Sequence, residues 1–425
     1  MASFPKGFFD QPSVFQKRKL YSHAYRILGT GLGGLLVVLT YYIFAWWVVG
    51  RDPPDGTIYP IFEPPLGLPP ACVRYLRRMA YDKKCFTAAL IHMAVKGHLK
   101  INETLGQFTL QRTDHTQRRT CPPLSPGEKK IFKVLLSSHP SLVLKDSNHA
   151  KISKAIEKLG DWLSKEYERK LFFKNRWWLV PGWLLSALTM AAAILTVGGT
   201  AGLLRGVFMF FLLFLLTIWC VAMAKDLIPA CRHFLLLLLT TPGKIRSFVG
   251  ALLCIVLLIP LFFGYVYFLF WISSRLSIWI VPLFIGLVAI NWSFWHWLKR
   301  PTAKGQHVLD QIAGFRMYLE TAEGEFLQQL NPPELTPELF EKYLPYALAL
   351  DVENAWSEKF SNVLELSATA PSGNHGYHPD WYHGTDHHHL TTGNFVSNLD
   401  SSISTAVSSA STAPGSSSGG GGGGW

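Results

Sequence analysis

Three groupings of residues in this 425-residue chain have types and spacings that could do chemistry. The first is Gly29-Thr30-Gly31-Leu32-Gly33-Gly34, which contains the Gly-x-Gly-x-x-Gly of a dinucleotide phosphate cradle. That cradle needs a strand before it and a βαβ unit around it, whereas these glycines open an apolar run just after Arg26. Gly29 and Gly33 also form Gly-x-x-x-Gly, the spacing at which two membrane helices pack closely, and this is the reading adopted. The second is His375, His378, Asp380, His383, Asp386, His387, His388 and His389. Imidazoles at these spacings suit Zn, Cu or Ni, but the surrounding Ser/Gly/Asn-rich chain supplies no fixed partners to orient them. No metal site is assigned. The third is basic: Arg74, Arg77, Arg78, Lys83, Lys84, Lys96 and Lys100. Such a patch could neutralise phosphates or dock an acidic partner.

Nothing in the chain points to catalysis. Gly-x-Ser-x-Gly, His-Glu-x-x-His and a phosphate loop are missing from the sequence. The acidic residues Glu320, Glu323, Glu325, Glu334, Glu338 and Glu341 fall on helical faces and read as solvated surface. The six cysteines include no Cys-x-x-Cys pair, so reduced thiols are expected rather than a zinc site or disulfide framework. A non-enzymatic protein without cofactor follows.

The elements that must position these residues are mostly hydrophobic. Five apolar segments are long enough to cross roughly 30 Å of hydrocarbon as helices: Ile27–Val49, Trp178–Val197, Leu203–Ala224, Phe248–Ile272 and Leu276–Trp297. Ionisable groups are nearly absent from their centres, which argues against a transport pathway. Asn291 is the most polar residue well inside one of them. The first segment is too long for a signal-peptide core and lacks a small-x-small cleavage site, so it reads as a retained helix. Only 16% of residues are charged, against about 25% in ordinary soluble domains, yet the net charge is +12. Between Gly50 and Arg176 there are 23 Lys/Arg against 12 Asp/Glu. The positive-inside rule therefore puts this segment and the residues after Trp297 on the cytoplasmic side of the membrane. The basic N-terminal tail (Lys6, Lys17, Arg18, Lys19, Arg26) argues the other way.

The organisation expected is a tail (1–26), a transmembrane helix (27–49), a cytoplasmic module (50–176), four transmembrane helices (177–298), a helical cytoplasmic module (299–367) and a disordered Ser/Gly/His-rich tail (368–425). In the first module, helices are expected at Ala71–Ala80 and Lys84–Lys96. Two alternating runs follow, Leu99–Glu103 and Gln107–Gln111, with Gly106 between them as a hairpin turn. Two helices and a hairpin resemble a winged helix. Ser125-Pro126-Gly127-Glu128 is a capping box, and Asn148–Phe173 carries an amphipathic stripe. In the second module a helix is expected at Gln306–Leu330. Thr336 caps another, Pro345 should kink or end it, and Asp351 should cap a last helix to Leu364.

Certain stretches resemble the YciQ-like bacterial predicted membrane proteins of unknown function. They include Gly50-Arg51-Asp52-Pro53-Pro54, Glu63-Pro64-Pro65, Val95-Lys96-Gly97-His98-Leu99, Gly314-Phe315-Arg316-Met317-Tyr318-Leu319, Asn331-Pro332-Pro333-Glu334 and Leu339–Ala347. The resemblance implies an architecture and no mechanism. It also implies an extracytoplasmic β-rich domain ahead of the first helix. This chain does not carry one, so it is similar to the C-terminal portion of such a protein.

The fold expected is mostly α: a polytopic α-helical membrane protein with a small winged-helix-like α+β cytoplasmic module and a helical C-terminal module. The partners expected are the lipid bilayer and a cytoplasmic or membrane protein docked on the basic patch. The alternative is a membrane-tethered nucleic-acid binder.

Overall fold

A computed structural model describes residues 14–54, 56–104, 106–113, 121–137, 139–196, 263–264, 279–321, 333–361, 363–364, 379–384 and 392–411. The apolar segments Leu203–Ala224 and Phe248–Ile272 lie outside these residues. In chain order the helices are α1 (Val14–Ala45), α2 (Pro70–Arg78), α3 (Lys83–Val95), α4 (Pro126–Leu136), α5 (His149–Tyr167), α6 (Arg176–Thr196), α7 (Ile280–Trp297), α8 (Ala303–Glu320), α9 (Pro337–Leu350), α10 (Glu353–Lys359) and α11 (Thr392–Ala410). The strands are β1 (Leu99–Thr104), β2 (Gln107–Arg112), β3 (Ser141–Val143), β4 (Phe172–Phe173), β5 (Arg300–Pro301) and β6 (Tyr382–Gly384). The chain divides into two compact units, Met1–Arg51 with Asn175–Leu298, and Asp52–Lys174 with Lys299–Trp425.

The first unit contains three stretches long and apolar enough to span a membrane, Leu28–Gly50, Arg176–Thr196 and Ile280–Trp297. Side chains such as Leu36, Val37, Leu184, Leu188 and Trp292 are more than half exposed, as lipid-facing residues of a membrane helix would be. The contact between helices forms where glycine removes a side chain. A Cβ on Gly34 would come within 2.2 Å of Thr189, and one on Gly182 within 2.2 Å of the Tyr42 ring. Gly29 and Gly33, the pair expected to pack, have nothing within 4 Å. The close approach falls one residue further along, on the face of α1 turned toward α6. A polar chain joins all three helices: Tyr42 donates to Asn291 Oδ1 (2.6 Å) and Asn291 Nδ2 donates to Ser186 Oγ (2.9 Å). Inside a bilayer such side-chain bonds hold helices together at about 0.6 kcal/mol each.

In the second unit the two segments expected as separate modules share one core. Cys72, Phe86, Leu90, Ile131 and Leu159, from between the first two described spans, are buried in the same cluster as Phe315, Tyr343, Leu348 and Trp356 from after the last. The expected helix-helix-hairpin is present, with Gly106 at φ 74° in the turn, where residues with a side chain are strained. The sheet runs β3-β2-β1-β6, antiparallel except for β6, which lies parallel to β1.

Local differences have identifiable causes. α5 ends at Tyr167, short of Phe173, because the chain turns at Arg169 (φ 70°) and pairs Phe172–Phe173 with Arg300–Pro301. α8 starts at Ala303, earlier than Gln306, since the Thr302 hydroxyl caps it by accepting from Gly305 N. Pro345 does not end α9. It lies buried within a helix running to Leu350, where the packing of its neighbours offsets one missing N–H. Asp351 closes α9 in the left-handed conformation (φ 58°) rather than capping the next helix.

The tail is not wholly without structure. It supplies β6 and α11 to this unit, and Val396, Leu399, Ile403, Val407 and Ala410 are buried. These five residues recur every three or four positions among serines and threonines, a helical stripe that bulk composition conceals.

Candidate functional site

The predicted basic patch begins on α2, whose arginines reach the C-terminus of α9. Arg74 is 4% exposed. Its Nε and Nη2 fork onto Asp82 (2.6–2.8 Å), and its Nη1 donates to Ala349 O (3.0 Å) and Asp351 (2.9 Å). Arg77 donates to Leu350 O (2.5 Å), Arg78 to Asp351 (3.0 Å), and Lys84 to both Asp351 (3.0 Å) and Glu353 (3.2 Å). Cations at the end of α9 satisfy its last carbonyls and match the negative end of the helix dipole. Burial would favour neutral Asp351, but the hydrogen bonds from Lys84 and Arg78 overcome it and hold the carboxylate well below its usual range. Asp82 is depressed in the same way, burial being outweighed by the Arg74 fork.

Four of the seven predicted residues thus meet around Asp351 and Asp82, in a lock between α2, α3 and α9. The other three are elsewhere. Lys83 donates to Ser408 on α11 (3.0 Å), Lys96 to Pro123 O (3.2 Å), and Lys100 lies on β1 opposite Gln111. The lock leaves little of this charge for a partner. The acidic half was missed because Asp351 and Asp82 are isolated in sequence, although Asp82, three residues before Cys85, is a recognisable N-cap.

A second arrangement went unpredicted. Glu128, the buried N3 residue of the α4 capping box, accepts from His92 Nδ1 on α3 at 2.5 Å and from Ser125 N at 2.8 Å. Burial would raise its pKa, but the bond from His92 and the nearby Lys96 charge hold it at about 2. His92, held through Nδ1 by Glu128, is among the residues that line a cleft of about 1020 Å³. Pro64, Pro69, Pro122, Pro123, Pro126 and Pro337 wall this cleft. The capping box was legible in sequence, but its histidine partner 36 residues away was not.

The third feature is the set of passages between the two units, at 51/52, 174/175 and 298/299. Within the first unit, Asn175 (φ 48°) donates through Nδ2 to Val49 O and Leu298 O, both at 2.8 Å. One amide therefore ties the three chain ends. Within the second unit, β4 pairs with β5, and Thr302 N donates to Leu171 O (2.8 Å). A Cβ on Gly305 would lie 1.7 Å from Leu171 O, so no other residue fits. The extended stretch after residue 52 runs along α8: Gly56 N donates to Asp310 (3.1 Å) and Ile61 N to Gly314 O (3.4 Å). A Cβ on Gly314 would meet Tyr59 O at 2.1 Å.

α3, the helix a winged-helix protein would insert into a groove, is buried from Cys85 through Ala94. Among the described residues, no group of three or more His, Cys, Asp or Glu is placed to hold a metal ion. The His-rich tract falls largely outside these residues, with His383 on β6.

No curated protein and no solved structure matches the chain. The family model described as the C-terminal domain of predicted membrane protein DUF2207 matches residues 57–230 and 238–360. The chain, with its apolar helices and a folded unit built from both sides of them, belongs to that predicted membrane protein family of unknown function.

Proposed function

We propose that this is a non-enzymatic membrane protein of the bacterial inner membrane that couples the arrangement of its apolar helices to a cytoplasmic docking unit. The observations that carry the reading lie within each unit: Asn175 ties Val49 and Leu298 in the first, and in the second β4 pairs with β5 while the stretch after residue 52 bonds to α8. Proteins change state between discrete packings rather than by continuous deformation, so a shift among spans with tied ends would reach the folded unit as a displacement of α8. The excess of Lys/Arg over Asp/Glu from residue 51 to 176 supports a cytoplasmic location for that unit. The winged-helix likeness of α2, α3, β1 and β2 supports a docking role. It gives little support to nucleic-acid binding, because α3 is buried and the arginines of α2 are engaged internally.

The test is photocrosslinking in living cells from a reactive residue at Lys100, in the intact protein and in Asn175→Ala. A recurrent protein adduct that weakens in the variant is expected. Adducts to nucleic acid, or a protein adduct indifferent to Asn175, would contradict the proposal.

A further inference from the structure

The cleft lined by His92 has a specific chemistry. Its walls are poor in donors, because proline has no N–H. They already receive donated protons, His98 Nε2 to Pro122 O at 2.7 Å and Lys96 Nζ to Pro123 O at 3.2 Å. Its charged lining is anionic on balance: Glu338, Glu341 and Asp380 against Lys96 and Lys342. Lys96, one of the two cations, lies 3.8 Å from buried Glu128, which offsets part of its charge. Glu341 accepts from Trp381 Nε1 and Lys342 lies over the Tyr343 ring (5.1 Å), while Glu338 and Asp380 are exposed at the mouth. His92, 7% exposed, lines the cleft and is held through Nδ1 by Glu128.

We propose that this cleft binds an extended peptide segment bearing Lys or Arg, whose N–H groups and cationic side chains meet the carbonyls and carboxylates that line it. A volume of about 1020 Å³ is at the top of the range for small-molecule pockets and leaves room for several residues. Flat proline faces suit an extended backbone, and carboxylates at the mouth select cationic side chains over anionic ones. The proposal does not depend on coupling to the spans.

The test uses the full chain in lipid nanodiscs and fluorescence anisotropy with a fluorescein-labelled hexapeptide of alternating arginine and proline. Its twin carrying glutamate for arginine and free spermidine are run in parallel. Saturable binding of the basic peptide is expected, with no binding of the acidic twin. Glu338→Gln with Asp380→Asn, two exposed positions whose exchange leaves the core intact, should weaken binding about tenfold, or 1.4 kcal/mol. Equal binding of the acidic twin, an unchanged affinity in the double variant, or absence of saturable binding would overturn the proposal. Spermidine binding as tightly as the peptide would overturn the assignment of a peptide.

Discussion

Glu128 has a titration that should be readable in the stability of the folded protein. Its folded pKa of about 2 lies below the ordinary 4.5, so its stabilising effect is complete above the ordinary value and is lost as pH falls from 4.5 through about 2. At neutral pH the contribution is on the order of 3 kcal/mol. Thermal unfolding of the solubilised chain should therefore weaken over that window, and Glu128→Gln should lower stability at pH 7 while flattening the acid limb. A variant with the same acid limb as the parent would show that another group governs it. Residue-scale legibility was uneven for a physical reason. Caps depend on neighbours in sequence, so Ser125, Thr336 and Thr302 announce or allow their helices locally. Arg74 and Asp351 are 277 residues apart, and nothing local distinguishes a cation aimed at solvent from one aimed at a helix end. The seven basic residues were visible, but their use was not.

Elements were legible where a repeat or a turn set them. The hairpin β1–β2, with Gly106 in its turn, and the helices α2 and α3 lie within a residue or two of their expected bounds. Among the elements that escaped, two show that their stabilisation is tertiary. β6 is three residues long and exists through pairing with β1. α11 is rich in serine and threonine, weak helix formers, so its apolar stripe against α3, α5 and α10 must hold it. Ile403, 1% exposed, is central to that stripe. Ile403→Ala should cost about 2–4 kcal/mol locally. Limited proteolysis should then cut within 392–411 well before the rest of the second unit, whereas Ser409→Ala, at an exposed position, should leave the cleavage pattern unchanged. Equal resistance of Ile403→Ala and the parent would mean that α11 is not held by this stripe.

At the scale of the whole molecule, hydropathy marked segments of about 20 apolar residues, and among the described residues three of these are helices long and apolar enough to span a membrane. It could not reveal that the segments before and after residues 175–298 share one core, since the burial of Phe86 and Tyr343 in one cluster has no signature in either stretch. The passages between the units are the consequence of that sharing. The central claim is that they act together. The most direct measurement is hydrogen–deuterium exchange of the full chain in nanodiscs, comparing the parent with Asn175→Ala. The substitution removes two bonds inside the first unit, to Val49 O and Leu298 O. The account predicts faster exchange at the Gly56, Ile61 and Thr302 amides of the second unit, whose bonds to α8 and Leu171 hold the other side of the passages. Faster exchange confined to residues next to Val49, Asn175 and Leu298 would contradict it, leaving an anchor and a folded unit joined only by chain.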